Sequence, residues 1–505
     1  MQFGWIAALI LLSLLVGLQP DVYYVTKLGR GNLVYPTLGE AITAAKPGST
    51  IKIKPGTYRE NLVINKPLRI EPFSTEEGAP QVIILARDPD RPAFKITADN
   101  VRLSGLAIEG GSVGIELSGT EGCKLIDNET RDSKKGIALQ GAKGNLIKGN
   151  SILGADVGIE LDGSSKNKLS DNAITESKLG LRLSSSDDNE LEGNRIKDAG
   201  TALLLQGSHH NRFLSNAISG SDRGLVFDHA NENLLGENSF TASGEPLQII
   251  GEEVDDWLQE IDETNRIDGR AIYYLVDKEN LTIDVTMNPG YVALIRCKNI
   301  TVAGLRLHGQ GILLIETESA TIRGNHIANA REGIRLWRSP NGLLDGNTLS
   351  GGEIGIHLLD SSAEILSQNS ISGGGFGILI EHGNGNLLEG NRIAESAHQG
   401  IAVESSNDNK LKGNEVRRSK EDGILIQSSH GNLIEANHLT QNWVGLFLQE
   451  AQANTISTNE ARENNFGIYL ANSQGNEIMK NNLTENVRAG LAGSLEGNKV
   501  EGNES

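Results

Sequence analysis

The 505-residue chain is short of positive charge, of sulfur and of aromatic rings. Lys and Arg number 46 against 65 Asp and Glu, for a formal net charge of -19. No local basic run offsets that balance, so the surface repels phosphate backbones and nucleic acid is excluded as a partner. The same charge disfavours polyuronates such as pectate or alginate unless a cation, calcium first, bridges the two anions. There are two Cys, ten His and, after the initiator, only Met287 and Met479. Copper draws on those three residue types, so a copper carrier would find a thin supply. One apolar run exists, Phe3 to Leu18, shorter than the ~20 residues of a spanning helix, and nothing later resembles a membrane span. It reads as an export signal or a short anchor over residues 1–19, although "MQFGW" has no Lys or Arg and "VGLQP" is not a small-residue cleavage site.

What the chain has is a period. Segments that begin Gly-Ile or Gly-Leu recur at 136, 158 and 180 ("GIALQGAKGNLIKGN", "GIELDGSSKNKLSDN", "GLRLSSSDDNELEGN"), a step of 22. The frame starts at Gly114, continues at Ala202 and Gly224, and resumes at 311, 333, 355, 377, 400, 423, 445, 467 and 490, with three steps of 23. An Asn usually falls nine residues after the anchor (Asn145, Asn167, Asn189, Asn211) and another five later (Asn150, Asn172, Asn194, Asn216). Periods of this size mark solenoids. The short-range pattern alternates, with Ile159 and Leu161 about Glu160 and Leu181 and Leu183 about Arg182, as in a strand with one buried face. No segment sustains a 3.6-residue stripe. The reading is all-β: a parallel β-helix, a solenoid of ~22-residue rungs, with Gly, Asn, Ser and Asp at its turns and Asn side chains stacked rung over rung. On that spacing Cys123 and Cys297 lie about eight rungs, some 38 Å, apart and cannot form a disulfide.

The frame also disposes of a tempting motif. Arg195-Ile196-Lys197 resembles the substrate clamp of polygalacturonases. Yet Arg195 sits fifteen residues after its anchor, in a slot held elsewhere by Ser151, Ala217, His326 and Arg392, and the other polygalacturonase motifs are absent in order. It is repeat grammar.

Five segments result: the signal or anchor at 1–19; an N-terminal cap and first rungs at 20–110; regular rungs at 111–240; irregular rungs with the acidic insertion "EEVDDWLQEID" at 241–310; and regular rungs at 311–505. Leu38 to Ala45 is expected to form a short capping helix with Ile42 inward, closed by Pro47-Gly48. At the other end "SLEGNKVEGNES" offers no cap, and charge is expected to protect the edge.

The opening "EAITAAKPGSTIKIKPGTYRENLVINKPLRI", the "N-I--N-I" rungs and the mid-chain "DGRAIYYLVDKENLTI" and "YVALIRCKNITV" resemble NosD-type β-helix proteins, a family of periplasmic copper-binding proteins grouped with carbohydrate-binding and sugar-hydrolase β-helices. That resemblance implies a right-handed parallel β-helix of the pectin lyase-like kind. It implies an exported accessory or binding protein without catalysis of its own, handling copper beside a nitrous oxide reductase or binding carbohydrate. Two other classes stand beside it: a polysaccharide lyase, hydrolase or epimerase, and a structural rod at the cell surface.

Two constellations are candidate sites. If the register holds, Asp187/His209/Asn231 and Asp188/His210/Glu232 stack as columns, where a His between carboxylates could hold copper or another metal, or act as a general base. On the outward strand face, Leu379, Ala402, Leu425, Phe447 and Tyr469 form an apolar stripe beside Glu381, Glu404, Gln427 and Gln449, a pairing suited to sugar rings and hydroxyls. The expected partners are a polysaccharide or a periplasmic protein, with membrane contact only through the N-terminal segment. The chain is expected to be monomeric and extracytoplasmic, in the periplasm, at the cell surface or secreted.

Overall fold

The computed structural model describes residues 21–29, 31–74 and 81–505, so the candidate signal or anchor at 1–19 lies outside the described residues. The chain divides into two compact units, Met1–Gln259 and Glu260–Ser505. Their boundary falls inside the irregular stretch at 241–310. Both are right-handed parallel β-solenoids.

In the first unit a rung is three short strands joined by tight corners, for example Val157–Asp162, Lys168–Ser170 and Ala173–Thr175. Each strand pairs in parallel with its counterparts one rung away: Ile159 with Ile137 and Leu181, Leu169 with Ile147 and Leu191, Ile174 with Ile152 and Ile196. Alternation turns Ile159, Leu161, Leu169 and Ile174 inward, where all are fully buried. Arg195–Lys197 is one such strand, with Ile196 buried.

The corners explain the polar residues between strands. Rung 158 takes left-handed backbone at Gly163, Lys166, Asp171 and Glu176 (φ between +54° and +58°). At each, the N–H donates to a carbonyl of the next rung: Gly163 to Ser184 at 3.0 Å, Lys166 to Asp187 at 3.3 Å, Asp171 to Glu192 at 2.9 Å and Glu176 to Lys197 at 3.1 Å. Those bonds offset the cost of the left-handed region for residues with a Cβ.

The recurring Asn form buried ladders. Asn145, Asn167, Asn189 and Asn211 each donate through Nδ2 to the Oδ1 of the Asn one rung on, at 2.9–3.2 Å. A second file runs through Asn150, Asn172, Asn194 and Asn216. Each Oδ1 also accepts a backbone N–H from the rung before, as Asn167 does from Asn145, so buried amides and buried main chain satisfy one another. One pair of rungs in the second unit departs from this. Gly342 has no side chain in the ladder slot, and Glu364 fills the space, its Oε2 accepting the Gly342 N–H at 2.9 Å. Glu364 is fully buried, and burial pushes its carboxyl up to about 8.

At the N-terminal end, Leu38–Ala44 is a helix whose Thr37 hydroxyl accepts the Glu40 N–H, with Leu38, Ala41 and Ile42 buried. The acidic insertion contains a single 3-10 turn, Val254–Trp257, with Trp257 buried. The second unit begins with shorter rungs: Tyr273 pairs with Val292, a step of 19, Val292 with Ile312, a step of 20, and only then Ile312 with Ile334, a step of 22. Both cysteines are free and buried, and burial pushes each thiol up. Among the described residues no helix is long and apolar enough to cross a membrane.

Candidate functional site: an outward sheet face in the second unit

The stacked columns form as their spacing requires, but their side chains pair off in twos. Asp187 Oδ1 accepts the backbone N–H of His209 at 2.8 Å, and the His209 ring meets Asn231. His210 Nε2 contacts Glu232 Oε2, while Asp188 contributes no side-chain bond among the described residues. Asp188, His210 and Glu232 all sit at a left-handed corner and point to solvent. Among the described residues no three His, Cys, Asp or Glu converge as a metal site would require.

The second constellation lies on parallel strands that include Glu332–Trp337, Ile354–Leu359, Phe376–Glu381, Ile401–Glu404, Asp422–Gln427, Val444–Gln449 and Phe466–Ala471. Their inward residues, such as Ile378, Ile380, Leu446 and Leu448, join the central core. The outward row runs Arg335, His357, Leu379, Ala402, Leu425, Phe447, Tyr469, each in register with the next. Beside it runs Leu359, Glu381, Glu404, Gln427, Gln449.

The stripe is outward as expected, but less open. Leu379, Ala402 and Leu425 form a small cluster of their own, separate from the central core, with Phe376 and Phe447 packed against it. They are at most 7% exposed, because outward neighbours on adjacent strands cover one another across a ~4.8 Å rung. The accessible apolar surface lies at the later rungs. There Phe447 and Tyr469 stand edge to face with ring centres 5.6 Å apart, Phe466 lies 5.4 Å from Tyr469, and Trp443 is 47% exposed under the guanidinium of Arg488. Next to these rings the side chains of Glu404, Gln427 and Gln449 are part-exposed and, among the described residues, have no hydrogen-bond partner.

At the earlier rungs the face is ionic. His357, almost buried, is held between two carboxylates, with Nδ1 2.9 Å from Glu332 and Nε2 2.7 Å from Glu381. A neutral imidazole has one N–H and donates to only one of them. Arg335 also reaches Glu332, at 3.2 Å. Burial raises the Glu332 carboxyl, but His357 and Arg335 outweigh it and hold it below its ordinary value. Burial, with the charge of Glu381, pushes Glu404 up. Burial takes Asp422 up to about 6, against a bond from the Gln399 amide.

Sequence reading missed this ionic group, because His357 meets its two carboxylates 25 and 24 residues away in sequence, across rungs. It also missed the rim, for which a signal existed in the three 23-residue steps. Ser370 to Ile378 spans eight positions, whereas its register partners Arg392 to Ile401 span nine, as do Glu415 to Ile424; His438 to Leu446 and Glu460 to Ile468 return to eight, and Asn482 to Leu491 again spans nine. All three insertions therefore enlarge the same corner, just ahead of the outward strand. They carry His398, whose ring lies 5.1 Å from Phe376, Glu421, which binds Gln399 at 2.8 Å, and Arg488, 5.2 Å over Trp443 and 5.6 Å over Phe466.

Residues 93–273, 258–398, 292–456 and 394–504 each match the family described as periplasmic copper-binding protein (NosD). The chain belongs to the NosD family. A cell surface glycoprotein of Methanothermus fervidus is 31% identical over 86 residues, which are 17% of this chain and 14% of that protein. Among solved structures, XylC in complex with xylose aligns over 64% of this chain and 76% of its own at 11% identity and a TM-score of 0.40. The Family 28 exopolygalacturonase of Yersinia enterocolitica aligns over 70% and 75% at 11% and 0.38, and the periplasmic alginate epimerase AlgG over 65% and 77% at 12% and 0.35.

The copper in the NosD description can be tested against the donors present. Both thiols are buried, and burial pushes each up; the His209 ring is committed to Asn231, and no three-donor group exists among the described residues. This donor set does not fit a copper site.

Proposed function

We propose that this NosD-family chain is an exported binding protein that holds a neutral glycan along the outward face of its second unit. One observation carries the reading: Phe447 and Tyr469 form an aromatic platform beside a file of part-exposed, unpartnered hydrogen-bonding groups, Glu404, Gln427 and Gln449. Sugar rings stack on aromatic faces while their hydroxyls take up amide and carboxylate hydrogen bonds. The carboxylates of Glu332, Glu381, Glu404 and Asp422 favour a neutral chain over a polyuronate. Export agrees with the periplasmic description of the family and with the name of the M. fervidus relative.

Calorimetric titration with a panel of neutral and acidic oligosaccharides tests the reading. A neutral oligosaccharide should bind, and Phe447→Ala with Tyr469→Ala should weaken it about tenfold or more. Failure of every neutral glycan to bind, or binding untouched by the double substitution, would exclude it. Assaying the same mixtures for new reducing ends or unsaturated sugars separates holding a glycan from cleaving it.

A further inference from the structure

The first unit carries a cleft of quite different character. Arg59, Glu60, Asn61, Arg87, Asp88, Pro89 and Arg91 line a hollow of about 570 Å³ beside the capping helix. Arg59, Arg87 and Arg91 are exposed, and among the described residues none of the three guanidiniums has a hydrogen-bond or ion-pair partner. The nearby carboxylates are occupied. Glu60 accepts the Leu38 and Gly39 N–H groups at 2.9 and 2.8 Å, Asp88 accepts the Asp90 N–H at 3.0 Å, and Asp90 faces Lys134 at 4.0 Å.

The loop bearing Arg87 and Arg91 is fastened rather than loose. Asn61 Nδ2 donates to the carbonyls of Asp88, Arg91 and Pro92 at 3.1, 3.3 and 2.9 Å, and Asn61 Oδ1 accepts the Asp88 N–H at 2.7 Å. Arg59 ends the strand Gly56–Arg59. Three arginines thus line the hollow on a fastened backbone, in a chain whose net charge otherwise repels anions.

We propose that this cleft binds a tetrahedral oxyanion, the phosphate or sulfate group. A carboxylate has two oxygens and is saturated by one guanidinium in a forked pair, whereas three guanidiniums match an anion offering three or four oxygens. Such a group comes from free inorganic anion or from a lipid headgroup, and the test separates the two.

Full-length protein is titrated at low ionic strength with inorganic phosphate, with sulfate and with phosphatidylglycerol vesicles, alongside Arg87→Gln/Arg91→Gln and the exposed Arg323→Gln of the second unit as a charge control. Saturable phosphate or sulfate binding that falls at least about tenfold in the double variant and holds in Arg323→Gln supports the site. Added binding to the vesicles, competed by phosphate, makes the headgroup a source; phosphate binding without vesicle binding makes the free anion the ligand. Absence of binding to all three, or equal weakening in Arg323→Gln, overturns the proposal. Unchanged thermal unfolding of the double variant keeps misfolding out of the comparison.

Discussion

The two units build the same outward strand and fill it differently. In the first unit the row Lys95, Glu116, Ala138, Glu160, Arg182 is in register, and its charges close on one another. Lys95 meets Glu116 at 2.8 Å, Glu160 lies between Lys135 and Arg182, Arg182 reaches Gln206 at 2.7 Å, and Gln206 reaches Asp228 at 3.1 Å. In the second unit the equivalent row becomes apolar and aromatic, and Glu404, Gln427 and Gln449 beside it are left open. The inward residues are buried aliphatics in both units, such as Ile159 and Leu181 in the first and Ile378 and Leu446 in the second. Stability is therefore carried by the interior of each rung, and the outward face is free either to be saturated or to be offered to a ligand.

The comparison can be broken at several points. If the interiors are equivalent, Leu181→Ala and Ile378→Ala, both fully buried, should each cost about 3 kcal/mol in denaturant unfolding; a large cost in one unit and none in the other would end the equivalence. Glu364 is one interior position where the units differ. Its folded carboxyl is raised from 4.5 to about 8, so its contribution is fully present below pH 4.5 and is lost as pH rises through 8. Glu364→Gln should match the wild type at pH 4 and exceed it by roughly 4–5 kcal/mol at pH 8.5, read from urea melts at both values. Breaking a ladder by Asn414→Ala removes the acceptor of the Asn391 backbone N–H and of one Asn391 amide hydrogen, the other staying on the Leu366 carbonyl, and should cost about 1–2 kcal/mol, as should Asn172→Ala in the first unit.

On the outward faces smaller effects are expected. Phe447→Ala/Tyr469→Ala should lower glycan affinity about tenfold with little change in melting, whereas Arg182→Ala should leave glycan affinity alone. Arg182→Ala should also cost under about 1 kcal/mol of stability, since its ion pair is part-exposed; a larger loss would mean the saturated face is structural after all.

Much of the fold was legible because the period is nearly constant and its slots have fixed physical jobs: apolar residues at alternate strand positions, Asn in the ladder, Gly or short polar residues where φ is positive. The frame lapsed between Phe240 and Gly311, and in the second unit that part holds rungs of 19 and 20 residues, which a search at 22 steps over. The stripe was legible as a row but not as a covered row, since the burial of Leu379 and Leu425 depends on neighbours one rung away. The group around His357 was invisible, because Glu332 and Glu381 reach it across strands.

The corner that holds the three extra residues has a consequence for how such chains diversify. Each of these rungs pairs with the rungs before and after it, and pairing resumes in register past every insertion. Three added nucleotides at that column therefore change the border of the outward face and leave the downstream stack undisturbed. Lineages can lengthen this corner codon by codon, turning a shallow face into a walled groove, without having to redesign the interior that keeps the protein folded.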